Sequence, residues 1–281
     1  MKSENILVLG GTGKTGRKIV DLLGKTNHNV HIGSRSAKPS FDWHQPENWS
    51  HSLVGMDKVY ITYQPDLAVP GALDAIERLT KEAQKAAVKK LVLLSGKGEK
   101  EAQLCEQVVI HSGIDYTIVR ASWFNQNFSE NFLLDSILDG FVALPQAEVQ
   151  IPFVDTNDIA QVAVRALLGN EHNGKIYELT GPETITFKQA VTIIAEVTNR
   201  AITFVPISIQ EYIEGMRRID LPEDFIWLIE YLFTEVLGNP NNSEITNDIE
   251  KILNKKPISF KEYAQKAAIV GAWNIPIKQH S

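Results

Sequence analysis

The stretch Ile6-Leu7-Val8-Leu9-Gly10-Gly11-Thr12-Gly13-Lys14-Thr15-Gly16 decides how the rest of the chain is read. Four consecutive apolar residues predict a strand buried on both faces, as in a parallel sheet. The glycines then fall as Gly10-x-x-Gly13-x-x-Gly16. Gly10 permits a tight exit from the strand, and Gly13 lets backbone approach a phosphate with no Cβ in the way. Gly16 lets the following helix lie close on the sheet. Apolar residues at Ile19, Val20, Leu22 and Leu23 give that helix its periodicity, and Gly24 is a stop signal. Val30-His31-Ile32-Gly33-Ser34 then completes a βαβ unit. The pattern predicts a dinucleotide pyrophosphate at the helix N-terminus, where unpaired N–H groups and the helix dipole favour negative charge. Thr12, Lys14 and Thr15 would stand beside it. The alternative is an empty Rossmann turn. A Walker A loop is a poor fit: Gly13-Lys14-Thr15 mimics its end, but its first glycine would stand at Val8.

Composition narrows the class. A chain of 281 residues can bury a full core, and 43% hydrophobic with 22% charged residues describes an ordinary soluble protein. A net charge of −6 with no dense Lys/Arg cluster argues against nucleic acid as a partner. The single cysteine, Cys105, cannot form an internal disulfide and reads as a buried, inert thiol. No stretch reaches 18 consecutive apolar residues, so no membrane span is expected, and the first strand begins too early to leave room for a signal peptide. Cytoplasm is the expected compartment. The seven histidines show no metal-ligand spacing, and no metal is expected.

Strand-like and helix-like stretches alternate through the first 180 residues. Further strands are expected weakly at Phe41-Asp42-Trp43, and clearly at 58–63, 90–95, 115–120 and 176–180. Helices are expected over 71–87, over 99–111 with an end at Ser112-Gly113, and from Thr156. In the last hundred residues, Thr186 with Gln189 and Ser259 with Glu262 resemble capping boxes. A strand is expected over 202–208. The run Phe225, Leu228, Ile229, Leu232, Phe233, Val236 has helical spacing; it suits core packing, a substrate wall or a dimer contact. The expected fold class is α/β, a Rossmann doubly wound parallel sheet with a small, mostly helical C-terminal substrate lobe. Residues 1–155 would form the nucleotide-binding core and 156–281 the lobe, which returns one strand near 176–180.

Cofactor choice is read after the second strand. An NAD site usually places a carboxylate there, whereas this chain has Gly33-Ser34-Arg35-Ser36 and no carboxylate before Asp42. Arg35 can pair bidentately with a 2′-phosphate and Ser34 can donate to it, which favours NADP(H) over NAD(H). A solvated surface arginine is the alternative. Asp42 is expected beside the adenine.

Several longer segments carry a family resemblance: GGTGKTGRKIV at 10–20, WHQPENW at 43–49, VYITYQPD at 59–66, RASWFNQNFSE at 120–130 and IPFVDTNDIA at 151–160. With them the chain resembles the NmrA-like group of atypical short-chain dehydrogenases, and within it the ergot-alkaloid oxidoreductase type. The resemblance implies a Rossmann fold, a nicotinamide cofactor and reduction of an unsaturated or iminium-type substrate. Ordinary short-chain dehydrogenases carry a Tyr-x-x-x-Lys pair on the helix after the corresponding strand. Aligned on Glu106 and the Ser112-Gly113 helix end, those positions fall near Gly98 and Ala102, and residues 97–113 contain no tyrosine. General acid–base catalysis is worth about 10²–10⁴-fold. The substrate expected is therefore already electrophilic: an iminium ion, quinone or conjugated enone.

Ligands in open parallel sheets lie beyond the carboxyl ends of the strands. Gln64 and Ser95 are expected along the ribose or nicotinamide, although Ser95 also suits a hydroxyl bonded to backbone. Tyr63 is the one phenol at a strand end, a candidate both for proton donation and for substrate contact. Trp123, Phe124 and Asn127 are the remaining substrate candidates, with core packing the alternative for the two aromatics. Asp155 and Asp158 suit helix capping, and Arg120 a structural ion pair. Two functions compete: an NADPH-dependent reductase of a small molecule, and a non-catalytic nucleotide sensor that would bind a protein partner. A homodimer stays open under either.

Overall fold

The computed structural model describes residues 3–130 and 132–274. Its strands are β1 (Asn5–Leu9), β2 (Asn29–Gly33), β3 (Lys58–Ile61), β4 (Lys90–Gly96), β5 (Asp115–Ala121), β6 (Phe141–Leu144), β7 (Lys175–Leu179) and β8 (Thr203–Pro206). The helices are α1 (Gly16–Leu23), α2 (Trp49–Leu53), α3 (Ala72–Lys85), α4 (Lys100–Ile110), α5 (Leu134–Asp139), α6 (Thr156–Leu168), α7 (Phe187–Thr198), α8 (Ile209–Arg218), α9 (Glu223–Tyr231), α10 (Asp248–Leu253) and α11 (Phe260–Ile269). None of the described helices is long and apolar enough to cross a membrane. The chain divides into two units. One holds residues up to 121 with 156–179 and 246–255; the other holds 122–155, 180–245 and the chain from 256.

The first unit is built on a six-stranded sheet in the order β2-β1-β3-β4-β5-β7, every pairing parallel. Ile6 to Leu9 of β1 and Leu91 to Leu93 of β4 are buried, the burial on both faces that an all-parallel sheet requires. Helices α1 and α6 pack together along one layer, α3 and α4 along another. This is the Rossmann-like, doubly wound sheet expected from the sequence. The chain runs from β1 out to β2, then returns past β1 to β3. The strand order therefore reverses between β1 and β3, the place where sheets of this class bind ligands.

The weak strand expected at Phe41-Asp42-Trp43 does not form, so the sheet has six strands rather than seven. Those aromatics pack instead. Phe41 stacks on Trp49 at 5.6 Å between ring centroids, Trp43 meets both edge-on, and Trp49 Nε1 donates to the Asp42 carbonyl at 2.6 Å. A short apolar run has no period that separates a strand from a buried loop.

The second unit contains an aromatic core. Phe128, Phe153, Phe187 and Phe260 meet in mostly edge-on contacts, and Phe233 stacks on Phe187. The Thr186–Gln189 capping box forms in full at the start of α7, and Ser208–Glu211 makes a second one at α8 that the sequence reading passed over. At α11, Ser259 accepts the Glu262 N–H, while the Glu262 carboxylate binds Lys266 Nζ at 2.7 Å. The strand expected over 202–208 is β8, and it pairs in parallel with β6, an element the sequence reading did not place.

Candidate functional site

The turn after β1 folds back on itself. Gly10 has φ +65°, and its N–H donates to the Gly33 carbonyl at the end of β2 at 2.9 Å. The Gly13 N–H donates to Gly10 O at 2.8 Å. A Cβ on Gly16 would fall 2.1 Å from Gly10 O, so α1 can begin this close to the strand only with glycine there. Gly13 differs. A Cβ there would stand 3.2 Å from Gly10 O and 3.6 Å from Gln64 Nε2, inside the concavity between the turn and the loop after β3. That cradle, at the N-terminus of α1, fits a pyrophosphate.

The other candidates of the first unit fall into two groups. Thr12 is exposed at the tip of the turn, Lys14 is half-buried, and Gln64 lies over Gly13. Ser34 and Arg35 follow β2; Ser34 Oγ is 3.2 Å from Ser36 Oγ, and Arg35 is exposed with no ion pair among the described residues. Asp42 is half-buried, and its Oδ1 accepts the His44 N–H at 3.0 Å. Tyr63 is half-buried with its ring on Trp43, 4.7 Å between centroids, and burial raises its phenol pKa. These positions gather around the β1/β3 switch point.

Two candidates have side chains turned to structural use. Thr15 is buried, with Oγ1 2.9 Å from the Tyr60 hydroxyl on β3. Ser95 donates to Glu106 Oε1 at 2.6 Å, a carboxylate rather than the backbone partner weighed from sequence. Glu106 is fully buried on α4 and is gripped by Arg120 of β5, Nε to Oε1 at 2.9 Å and Nη2 to Oε2 at 2.6 Å. Arg120 Nη1 also reaches Glu178 on β7 at 3.3 Å. Its hydrogen bonds to these carboxylates raise the Arg120 pKa further and keep it charged. Arg120 is thus the ion-pairing residue the sequence suggested.

On α4 and the loop before it, Gly98 has φ +83°, Ala102 is fully buried, and Cys105 Sγ lies 3.8 Å from Leu67 O, its thiol pushed up to about 12 by burial. Sequence reasoning missed the carboxyl groups next to these residues. Asp66 lies in the loop after β3 and Glu99 in the loop after β4, and burial raises both carboxyl pKa values. Their signal was a carboxylate beyond a strand end, in Tyr63-Gln64-Pro65-Asp66 and Lys97-Gly98-Glu99.

In the second unit, Trp123 is half-buried and edge-on to Phe187 at 5.5 Å and Phe233 at 5.3 Å, so much of its ring serves the core. Phe124 bridges to Val154 and opens the turn that carries Asn127, whose N–H donates to the Phe124 carbonyl at 3.1 Å. Asp155 accepts from Gln126 Nε2 at 3.0 Å, and within the first unit Asp158 binds Lys255 Nζ at 2.8 Å.

The model of the NmrA-like family matches residues 100–264, and that of NAD(P)H-binding proteins matches residues 10–169. The chain belongs to the NmrA-like family. Agroclavine dehydrogenase of Claviceps fusiformis is 32% identical over 92% of this chain and 95% of its own length. Prestalk A differentiation protein A of Dictyostelium discoideum is 28% identical over 93% of the chain and 92% of its own length. Among solved structures, a Staphylococcus aureus protein described as a nucleoside-diphosphate-sugar epimerase superposes with a TM-score of 0.79 at 21% identity, covering 93% of this chain and 99% of that one. This last likeness concerns the fold.

Proposed function

We propose that this member of the NmrA-like family is an NADPH-dependent reductase that transfers hydride to a small electrophilic substrate: an iminium ion, quinone or conjugated enone. It is an NAD(P)-dependent oxidoreductase, as the name of its 32%-identical dehydrogenase relative supports. The observation that carries the reading is the cradle between Gly13 and Gln64 at the strand-order reversal, with Arg35 exposed on the loop after β2 and in no ion pair among the described residues. Backbone of Gly10 to Gly16 and the side chain of Lys14 would hold the pyrophosphate. Ser34 and Arg35 would take the 2′-phosphate, and Asp42 would flank the adenine. Gln64 would line the ribose or nicotinamide side. Bound there, the nucleotide supplies a hydride from its reduced ring.

Ala102 and Gly98, where a tyrosine–lysine dyad would stand, can move no proton. The protein then contributes orientation and exclusion of water, which suffices for a substrate that accepts hydride unaided. Tyr63 and Trp43 form an aromatic face beside the turn. Trp123, Phe124 and Asn127 are the substrate-contact candidates of the second unit. The decisive experiment mixes protein and NADPH with a panel of quinones, enones and cyclic iminium salts and follows nucleotide absorbance. Oxidation with any class supports the reductase. A second reading, a nucleotide sensor, draws on a full-length relative named for differentiation rather than for a reaction. Binding of NADPH and NADP+ by calorimetry with no turnover across the panel would favour it.

A further inference from the structure

The turn after β1 has few side chains with which to hold its own shape. Four of the seven residues from Gly10 to Gly16 are glycine, which leaves the backbone wide conformational freedom. Of the other three, Thr12 is exposed and Lys14 half-buried, and Thr15 is the buried one. Thr15 directly precedes α1, yet its hydroxyl makes no capping bond to that helix. It is turned onto Tyr60 of β3, a fully buried residue, with the two hydroxyl oxygens 2.9 Å apart. The Thr15 carbonyl accepts the Ile19 N–H at 3.1 Å, so whatever fixes Thr15 also fixes the start of α1.

Strand β3 and its continuation meet the turn at alternate residues. Tyr60 lies in register with Val8 of β1, and its hydroxyl reaches Thr15 at the end of the turn. Two residues on, Thr62 Cγ2 stands 2.5 Å from where a Cβ of Gly10 would be, at the beginning of the turn. Two further, Gln64 Nε2 stands 3.6 Å from the corresponding point at Gly13, in its middle. Of these three approaches, the one at Thr15 is a hydrogen bond between buried groups. Apolar contact tolerates sliding, whereas a hydrogen bond weakens steeply once its geometry is lost.

We propose that Tyr60 is a positioning residue for the dinucleotide pyrophosphate: through Thr15 it fixes the start of α1 against the sheet, and with it the width of the cradle between Gly13 and Gln64. The proposal rests on the nucleotide-binding reading above and adds to it a side chain that never touches the nucleotide. The N–H groups at a helix start hold phosphate oxygens only at hydrogen-bonding distance and angle, so a shifted α1 weakens every ligand that carries the pyrophosphate. Arg35, by contrast, would act on the 2′-phosphate alone. A purely structural hydroxyl pair makes a different prediction. Two buried hydroxyls that only satisfy each other can be replaced together by apolar groups of the same shape at little cost.

The test uses the full chain with Tyr60→Phe, Thr15→Val and the double variant. Each single variant strands one buried hydroxyl and should lower the melting temperature; the double variant should regain most of the loss. Calorimetry should show NADPH, NADH and ADP-ribose each binding about 10-fold more weakly in all three proteins, the double variant included. Weakened binding in a protein of restored stability is the result that a structural pair would not give. Parental affinity in the double variant overturns the proposal, and so does a loss confined to NADPH. Should a single variant fail to fold, the double variant decides the matter by the same comparison. A parent that binds none of the three ligands overturns the nucleotide reading, and the role of Tyr60 with it.

Discussion

At Arg35 one exposed guanidinium stands two residues beyond the end of β2, the position at which NAD-selective sheets carry a carboxylate. If it holds a 2′-phosphate, Arg35→Ala removes a charge-assisted contact worth about 1.5–3 kcal/mol. Calorimetry should then show NADPH affinity falling by roughly 10- to 100-fold with NADH affinity unchanged. Equal losses for both nucleotides would return Arg35 to the solvated surface. Gly16 tests the turn itself. Gly16→Ala would drive a Cβ to 2.1 Å from Gly10 O, against backbone that cannot swing aside. Thermal unfolding should register a loss of about 1–3 kcal/mol, together with loss of nucleotide binding. Gly13→Ala meets only 3.2 and 3.6 Å contacts, so it should leave stability nearly intact while still weakening the nucleotide.

Between elements, the Arg120–Glu106 pair ties β5 to α4, with Glu178 of β7 and Ser95 of β4 completing the network. Arg120→Leu would strand a fully buried carboxylate, a change that typically costs about 3–5 kcal/mol. Urea unfolding should show that loss, and adding Glu106→Gln should recover part of it, because a neutral amide tolerates burial without a cation. At this scale the sequence was most legible where a pattern repeats or a turn demands glycine. The continuous apolar run of β1, the periodicity of α1 and α3, and the Gly113 turn with φ +75° all stand where the residues placed them. Legibility failed where a residue's role depends on partners distant in the chain. Phe41 and Trp43 read as strand because their true contact, Trp49, lies in the following helix. The four residues of β6 make sense only against β8, some sixty residues on. The partner of the Ser95 hydroxyl, Glu106, stands on the following helix, eleven residues on. Asp66 and Glu99 drew no notice because nothing in a lone carboxyl's sequence neighbours shows the burial that raises its pKa.

For the whole molecule, two carboxyl groups raised by burial make stability depend on pH in an unusual direction. Most paired carboxylates have lowered pKa values and stabilise the fold as pH rises. Asp66 and Glu99 are raised above their unfolded values of about 4. The folded state therefore binds more protons than the unfolded state, and stability falls as pH climbs from the unfolded pKa toward the folded one. Lys90 acts in the opposite sense: burial and the neighbouring Lys58 pull it down to about 8, so its contribution rises with pH only between there and its unfolded value of about 10.4. Comparing Glu99→Gln with the parent removes the lysine from the difference. The melting temperature of the variant should gain on the parent as pH rises above the ordinary carboxylate range, and parallel curves would contradict the raised Glu99 carboxyl.

Residues 246–255 belong to the nucleotide-binding unit although most of the second unit precedes them. Within that short return, Thr246 bonds the Glu178 carbonyl, Asp248 accepts the Glu178 N–H at 3.0 Å, and Lys255 neutralises the fully buried Asp158. During synthesis, then, the ribosome must release nearly the whole polypeptide before β7 and α6 receive their last partners. A message cut short after β7 would yield a nascent Rossmann sheet that lacks the lysine bonded to its buried Asp158, a natural target for chaperones and proteases rather than a smaller working protein.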